Sequence, residues 1–299
     1  MMSLPGSGAA ARSPLLFAAA LTATSAFIMN AEVLVMKLMG PAVPVAMIVC
    51  VRSLAQLVWV APTLARLGLG MFRTNHLKLH LLRGVLSVTS WSLYYYAFRA
   101  LPLATATVLS FTGVMFTTAL AGPILGEVVR WRRWSATLTG FAGVLLILRP
   151  GVLPVELATL AQLCSALSGA GIVMVTKKLS ASETTETIML YIGLITSAAS
   201  LPAAIAEWVW LSPGLWLALL LMAALGVSAM FMWITALRMA DASMLAPLNY
   251  TRLVFAVASG ALLFDELPDY YTWAGAALIV GSAIYITRRE AALLRQGRR

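Results

Sequence analysis

Arg252 has the most chemistry to account for. It lies about eight residues into an apolar run, roughly 12 Å from one membrane face by helix rise. A guanidinium at that depth is costly against lipid, so it must face a cavity or a partner. Asn249 sits three residues back on the same helical face, Tyr250 lies between them in sequence, and Ala256 and Ser259 continue the face. No Asp or Glu falls at matching depth in the third, fourth, eighth or ninth apolar run. Such a pair can hold a carboxylate in a two-point, charge-assisted pose. The plainer alternative is an arginine bonded to helix-end carbonyls. The corresponding face of the fourth run carries Ser110, Gly113 and Thr117, small and polar. That stripe suits either a cavity wall or close helix packing.

A second constellation joins Glu32, near the end of the first run, with Arg52, about nine residues into the second. Helix rise places both within roughly 6–14 Å of one surface, so adjacent antiparallel helices can pair them. Glu32 is then either a structural clasp or a proton-coupling carboxylate tuned by burial and by Arg52. Trp91, Tyr94, Tyr95, Tyr96 and Phe98 crowd the end of the third run, and Trp233 holds the place of Tyr94 in the second half. They read as an interfacial aromatic belt or as a stacking surface for a planar or cationic ligand.

Other candidates read as structural. Glu127 and Glu266 each precede a helix start, where a carboxylate caps free N–H groups. His76 and His80 have metal-ligand spacing, but their surroundings are basic and no metal is expected. Cys50 and Cys164 lie in apolar runs and suggest neither a disulfide framework nor a metal site. Glu32 is the only intramembrane carboxylate, Glu156 standing at the edge of its run, so an aspartyl-pair intramembrane protease is excluded by count. No enzyme activity and no cofactor are expected.

The elements that must position these residues are membrane spans. Of 299 residues 61% are hydrophobic and 11% charged, and the mean hydropathy is +0.90. Ten runs, at 15–37, 43–65, 81–100, 104–125, 134–149, 156–177, 187–206, 215–237, 243–263 and 271–287, read as transmembrane helices. The N-terminal run extends too far for a signal peptide. The net charge of +10 resides in short loops and at the C-terminus, as membrane topology requires, with no domain to engage nucleic acid. With the N-terminus inside, sixteen lysines and arginines fall in inside segments, among them Arg66, Arg73, Lys78 and Arg83. Lys37, Arg99 and Arg149 fall outside. Both termini are therefore expected in the cytoplasm.

The chain repeats itself at an offset of 139. Arg99 falls on Arg238, Thr112 on Thr251, Phe116 on Phe255, Glu127 on Glu266 and Trp134 on Trp273. Residues 15–149 and 156–289 thus form two five-span repeats. An odd number of spans forces them into opposite orientations, a transporter architecture with its site near the midplane. The expected fold is all-α integral membrane.

The junctions Gly126-Glu127 and Asp265-Glu266, the tryptophans Trp134 and Trp273, and the glycine-rich closing helices GFAGVLLILRP and WAGAALIVGSAIYI resemble the EamA type of the drug/metabolite transporter superfamily. The resemblance implies a ten-helix carrier with a cavity lined by helices three, four, eight and nine. It implies substrates among amino acids, opine-type metallophores, S-adenosylmethionine and vitamins such as riboflavin. The expected activity is export of an amino acid or amino-acid-derived compound across the inner membrane. The alternative is import of a vitamin or nucleoside-like metabolite, and a passive channel is a distant third. The expected partners are a small-molecule substrate and the lipid bilayer, with proton coupling open and a monomer or homodimer as the assembly.

Overall fold

The computed structural model describes residues 7–125, 131–149, 156–180, 182–239 and 251–295. Gly126, Glu127, Asn249 and Tyr250 lie outside them. The regular elements are α1 (Ser7–Met39), α2 (Val45–Leu67), α3 (Leu77–Ala100), α4 (Leu103–Ser110), α5 (Thr112–Leu125), α6 (Trp131–Leu148), α7 (Leu157–Leu179), α8 (Thr185–Ala206), α9 (Pro213–Met239), α10 (Thr251–Phe264) and α11 (Tyr270–Arg295). Helix is the structure apolar chains of this length adopt in lipid, because it satisfies its own backbone. Val58, Leu138, Leu217 and Leu262 are exposed, as lipid-facing side chains are.

The fold is ten transmembrane helices in two inverted five-helix repeats. Helix ends recur at the offset seen in the sequence: α2 and α8 end at Leu67 and Ala206, α3 and α9 at Ala100 and Met239, and α5 and α10 at Leu125 and Phe264. Every span packs on the opposite half: α1 on α9, α2 on α8, α3 on α7, α4 on α10 and α6 on α11. Two apolar clusters result. One gathers Met36, Met47, Tyr95, Phe98 and Leu103 toward the Lys37 end. The other gathers Met71, Leu179, Ile188 and Met189 toward the His80 end.

The fourth span departs from expectation. It is not one helix over 104–125, because it breaks at Phe111 between α4 and α5. Hydroxyls satisfy the freed carbonyls: Ser110 Oγ donates to Thr107 O at 2.6 Å and Thr112 Oγ1 to Leu109 O at 2.7 Å. The face of Ser110, Gly113 and Thr117 is therefore divided between two helices. Interrupted spans of this kind mark the central sites of transporters.

The second acidic junction has a conformational cause. Asp265 follows α10 with φ +55°, and the Glu266 N–H closes on Gly260 O at 3.0 Å. A left-handed residue there is tolerated by Asp. Glu266 does not cap its own following helix. Its Oε2 accepts from the Leu103 N–H at 2.9 Å, capping α4, and its Oε1 pairs with Lys37 Nζ at 2.5 Å. The α11 cap is Asp269, whose Oδ1 accepts from the Thr272 N–H at 2.8 Å and whose Oδ2 lies 2.6 Å from Arg149.

Thr272's hydrogen bonding, then Arg149, hold the Asp269 carboxyl below its usual range. A depressed carboxyl contributes stability that is present above its unfolded value, near 4, and lost as pH falls through its folded value. Asp269→Ala is expected to cost about 1 kcal/mol at neutral pH. The difference in Tm between parent and variant should shrink below about pH 4. A difference independent of pH would contradict the cap.

Candidate functional site

Helix α3 carries the site. At helical spacing one face presents Arg83, Ser87, Trp91, Tyr94 or Tyr95, and Phe98. Trp91 stacks on Tyr95 with centroids 5.7 Å apart, and Tyr94 meets both rings edge-on. Tyr94 also leans on Phe98 at 4.3 Å. Tyr94 and Tyr95 are buried. Tyr94 and Tyr95 thus face inward rather than forming an interfacial belt, because Tyr94 meets Arg252 on α10 and Tyr95 meets Glu32 on α1, while Tyr96 is exposed.

Glu32 and Arg52 meet as their spacing suggested. Arg52 Nε donates to Glu32 Oε1 at 2.7 Å, and the Tyr95 hydroxyl donates to the same oxygen at 2.5 Å. Arg52 Nη2 reaches Gly226 O on α9 at 3.3 Å, and its guanidinium lies 3.8 Å over the Trp91 ring. Glu32 is 1% exposed and Arg52 4%. Away from water, such a pair holds together only with good geometry and additional hydrogen bonds, and here both are present. Gly226 makes room for it, since a Cβ there would overlap the Glu32 carboxylate. Beside the pair is a small space between α2, α3 and α8, bounded by Ser53, Gln56, Trp91 and Thr196.

Arg252 opens α10 and points at α3, where its Nη2 donates to the Tyr94 hydroxyl at 2.6 Å. It is 9% exposed, and its Nε has no hydrogen-bond partner among the described residues. Among the described residues no carboxylate reaches it, because Glu32 is taken up by Arg52 and Tyr95. Tyr94, Tyr95 and Trp91 therefore link two arginines and one carboxylate into a buried unit carrying excess positive charge. An anionic group would complete it.

Other sequence candidates fall elsewhere. Trp233 is part-buried and packs on the apolar cluster at the His80 end, apart from Tyr94. Ser110 bonds within its own helix, and Thr117 is half-buried on α5. Ser259 receives Asn30 Nδ2 at 3.4 Å. Arg83 is no loop charge, being 1% exposed with its Nε on Thr176 Oγ1 at 2.7 Å. His80 stacks on Tyr191 at 4.2 Å, with Glu183 3.8 Å from its Nε2.

Three residues of this region escaped sequence reasoning. Gly226 is one small residue among many. Thr196 is 3% exposed, and its hydroxyl has no partner among the described residues. Gln162 is 1% exposed, and neither its amide nitrogen nor its amide oxygen has one. A signal for Gln162 existed: it and Gln56 are the only glutamines within the apolar runs. Gln56 donates to Met189 O at 2.8 Å.

The chain matches the EamA-like transporter family over residues 16–149 and again over 157–288. It is 33% identical to a protein of Rickettsia bellii named S-adenosylmethionine uptake transporter, over 77% of this chain and 79% of that one. It is 33% identical to a Vibrio cholerae riboflavin transporter, over 83% of this chain and 84% of that one. A Pseudomonas aeruginosa protein named pseudopaline exporter CntI is 28% identical, over 88% of this chain and 92% of that one.

Proposed function

Because the chain belongs to the EamA-like transporter family, we propose that it is an inner-membrane secondary transporter importing a nucleoside-like metabolite that bears a carboxylate, of the S-adenosylmethionine kind. The observation that carries this reading is Arg252, a buried cation held by one tyrosine hydroxyl with no carboxylate in reach among the described residues. A substrate carboxylate supplies the missing charge, and the Tyr94–Tyr95–Trp91 rings give a planar base or a sulfonium a π-surface. Import is preferred to the export expected from the resemblance. The named uptake transporter is 33% identical against 28% for the named exporter. The inverted halves exchange inward- and outward-facing forms around this site.

Cells expressing the chain should take up labelled S-adenosylmethionine saturably, with unlabelled compound competing. A linear, non-competable flux would indicate a channel. Uptake no greater than in empty-vector cells would overturn the substrate assignment. Faster loss of label from preloaded cells, with no uptake, would restore the export reading.

The orientation proposed from charge puts both termini and Asn75 in the cytoplasm and the loop after Phe264 outside. In a background with Cys50 and Cys164 replaced by serine, an impermeant thiol reagent should label Leu267→Cys and spare Asn75→Cys in intact cells. Leu267 is 77% exposed and Asn75 is exposed, so both can react once reached. The reverse pattern would invert the topology.

A further inference from the structure

We propose that Gln162 is a specificity-determining residue of the substrate site, reading the adjacent donor and acceptor on the edge of a heterocyclic base. The inference rests on the import reading above and names the group that the site recognises.

Helix register places Gln162 at the height of Tyr94. Helices α3 and α7 run antiparallel, since Arg83 bonds Thr176 while Ser90 and Ser165 exchange hydrogen bonds at 3.1 and 2.9 Å. Tyr94 is one turn beyond Ser90, and Gln162 is just under one turn before Ser165. The two therefore lie level to within about 2 Å. Gln162 also faces the broken fourth span. Ala166, four residues on, lies against α5, its carbonyl 3.5 Å from where a Gly113 Cβ would be. A residue three before Ser165 and four before Ala166 shares the face of both and points between α3 and the Phe111 break. Tyr94, at this height, accepts from Arg252 Nη2 of α10.

The side chain is 1% exposed, and neither polar atom has a partner among the described residues. An amide in that state destabilises the resting protein, and a ligand that pairs both atoms removes the penalty. A primary carboxamide presents an N–H donor and a C=O acceptor side by side in one plane. Its complement is an acceptor beside a donor, such as a ring nitrogen next to an exocyclic amine, or an imide edge. Glutamine and asparagine read adenine in this way. The Trp91 and Tyr94 rings lie on the neighbouring face of α3.

The test measures how adenosine and its 6-desamino analogue, purine riboside, compete with labelled S-adenosylmethionine uptake in cells expressing the full chain. Thermal unfolding of the purified parent and of Gln162→Leu is measured alongside. In the parent, adenosine should compete at a concentration about tenfold or more below that of purine riboside. Gln162→Leu should abolish that difference and unfold at a higher temperature without ligand, because it removes a buried unpaired amide. Gln162→Glu, whose ionised carboxylate accepts but does not donate, should weaken adenosine competition without the gain in stability. Equal competition by the two nucleosides in the parent, or an unchanged preference in Gln162→Leu, overturns the proposal. So does a lower unfolding temperature in Gln162→Leu, which marks a packing role. If any of these occurs while Arg252→Ala still stops uptake, the import reading stands and only the role of Gln162 falls. If the parent takes up no S-adenosylmethionine, the import reading fails, and the role of Gln162 falls with it.

Discussion

Arg252→Ala is expected to lower uptake by about two orders of magnitude while leaving the protein at its normal level in the membrane. A two-point, charge-assisted contact to a carboxylate in a dry site is worth about 3 kcal/mol, and each 1.4 kcal/mol is about tenfold. Folding should survive because the resting protein gives Arg252 little, namely one hydrogen bond to Tyr94 and an unpartnered Nε among the described residues. Bringing the guanidinium to that depth costs at least about 2.5 kcal/mol, so a protein without it can be as stable or more so. Arg252→Met, which keeps volume and discards charge, should show the same loss at equal abundance. Arg252→Lys should keep the charge, lose the planar fork and raise KM about tenfold with a smaller change in maximal rate. Tyr94→Phe should resemble the lysine variant, since it removes the hydroxyl that aims the guanidinium. Wild-type uptake in Arg252→Ala at normal abundance would show that the arginine does not meet the substrate.

The second large effect belongs to the Glu32–Arg52 pair, and it concerns survival of the fold. Arg52→Gln leaves the Glu32 carboxylate 1% exposed with, among the described residues, Tyr95 alone to meet it. Removing one partner of a buried pair costs about 3–5 kcal/mol, a large share of the total of about 5–15 kcal/mol that holds a typical protein together. Arg52→Gln is therefore expected to accumulate poorly and to unfold at markedly lower temperature. Gly226→Ala should do likewise from the other side. Its methyl would overlap the Glu32 carboxylate and stand 2.7 Å from Arg52 Nε, and the carboxylate can retreat only by leaving its partners. The double variant Glu32→Gln, Arg52→Gln should recover much of the loss, since it leaves no unpaired charge. Thermal melts of the purified variants read all three. If the single variants instead accumulate normally and lose only uptake driven by a pH gradient, Glu32 is a coupling group and the clasp reading falls.

The class of the protein was legible in its letters for a simple reason. Lipid imposes a length on every span and demands self-satisfied backbone, so ten apolar runs of about 20 residues can mean little else. The repeat was legible because an acidic junction and the tryptophan after it recur at one offset, Glu127 and Trp134 on Glu266 and Trp273. Arg252, Glu32 and Arg52 were visible as charges where charge is expensive, and the pairing of the last two followed from helix rise alone.

Tertiary structure decided what those charges touch and which polar groups remain unmatched. Interfacial and interior aromatics share the same sequence pattern, and it is the contacts with Arg252 of α10 and Glu32 of α1 that set Tyr94 and Tyr95 inside. Glu266 stands beside one helix start and caps another 163 residues away, a pairing that no local rule contains. Arg83 read as a loop charge until α7 supplied Thr176 to receive it. Gln162 was a single amide in an apolar run, and its significance lies in the hydrogen bonds it does not make. Sequence determines what each side chain can offer and how far along a helix it stands. Whether that offer is met depends on neighbours from distant parts of the chain, and only the assembled fold brings them within reach.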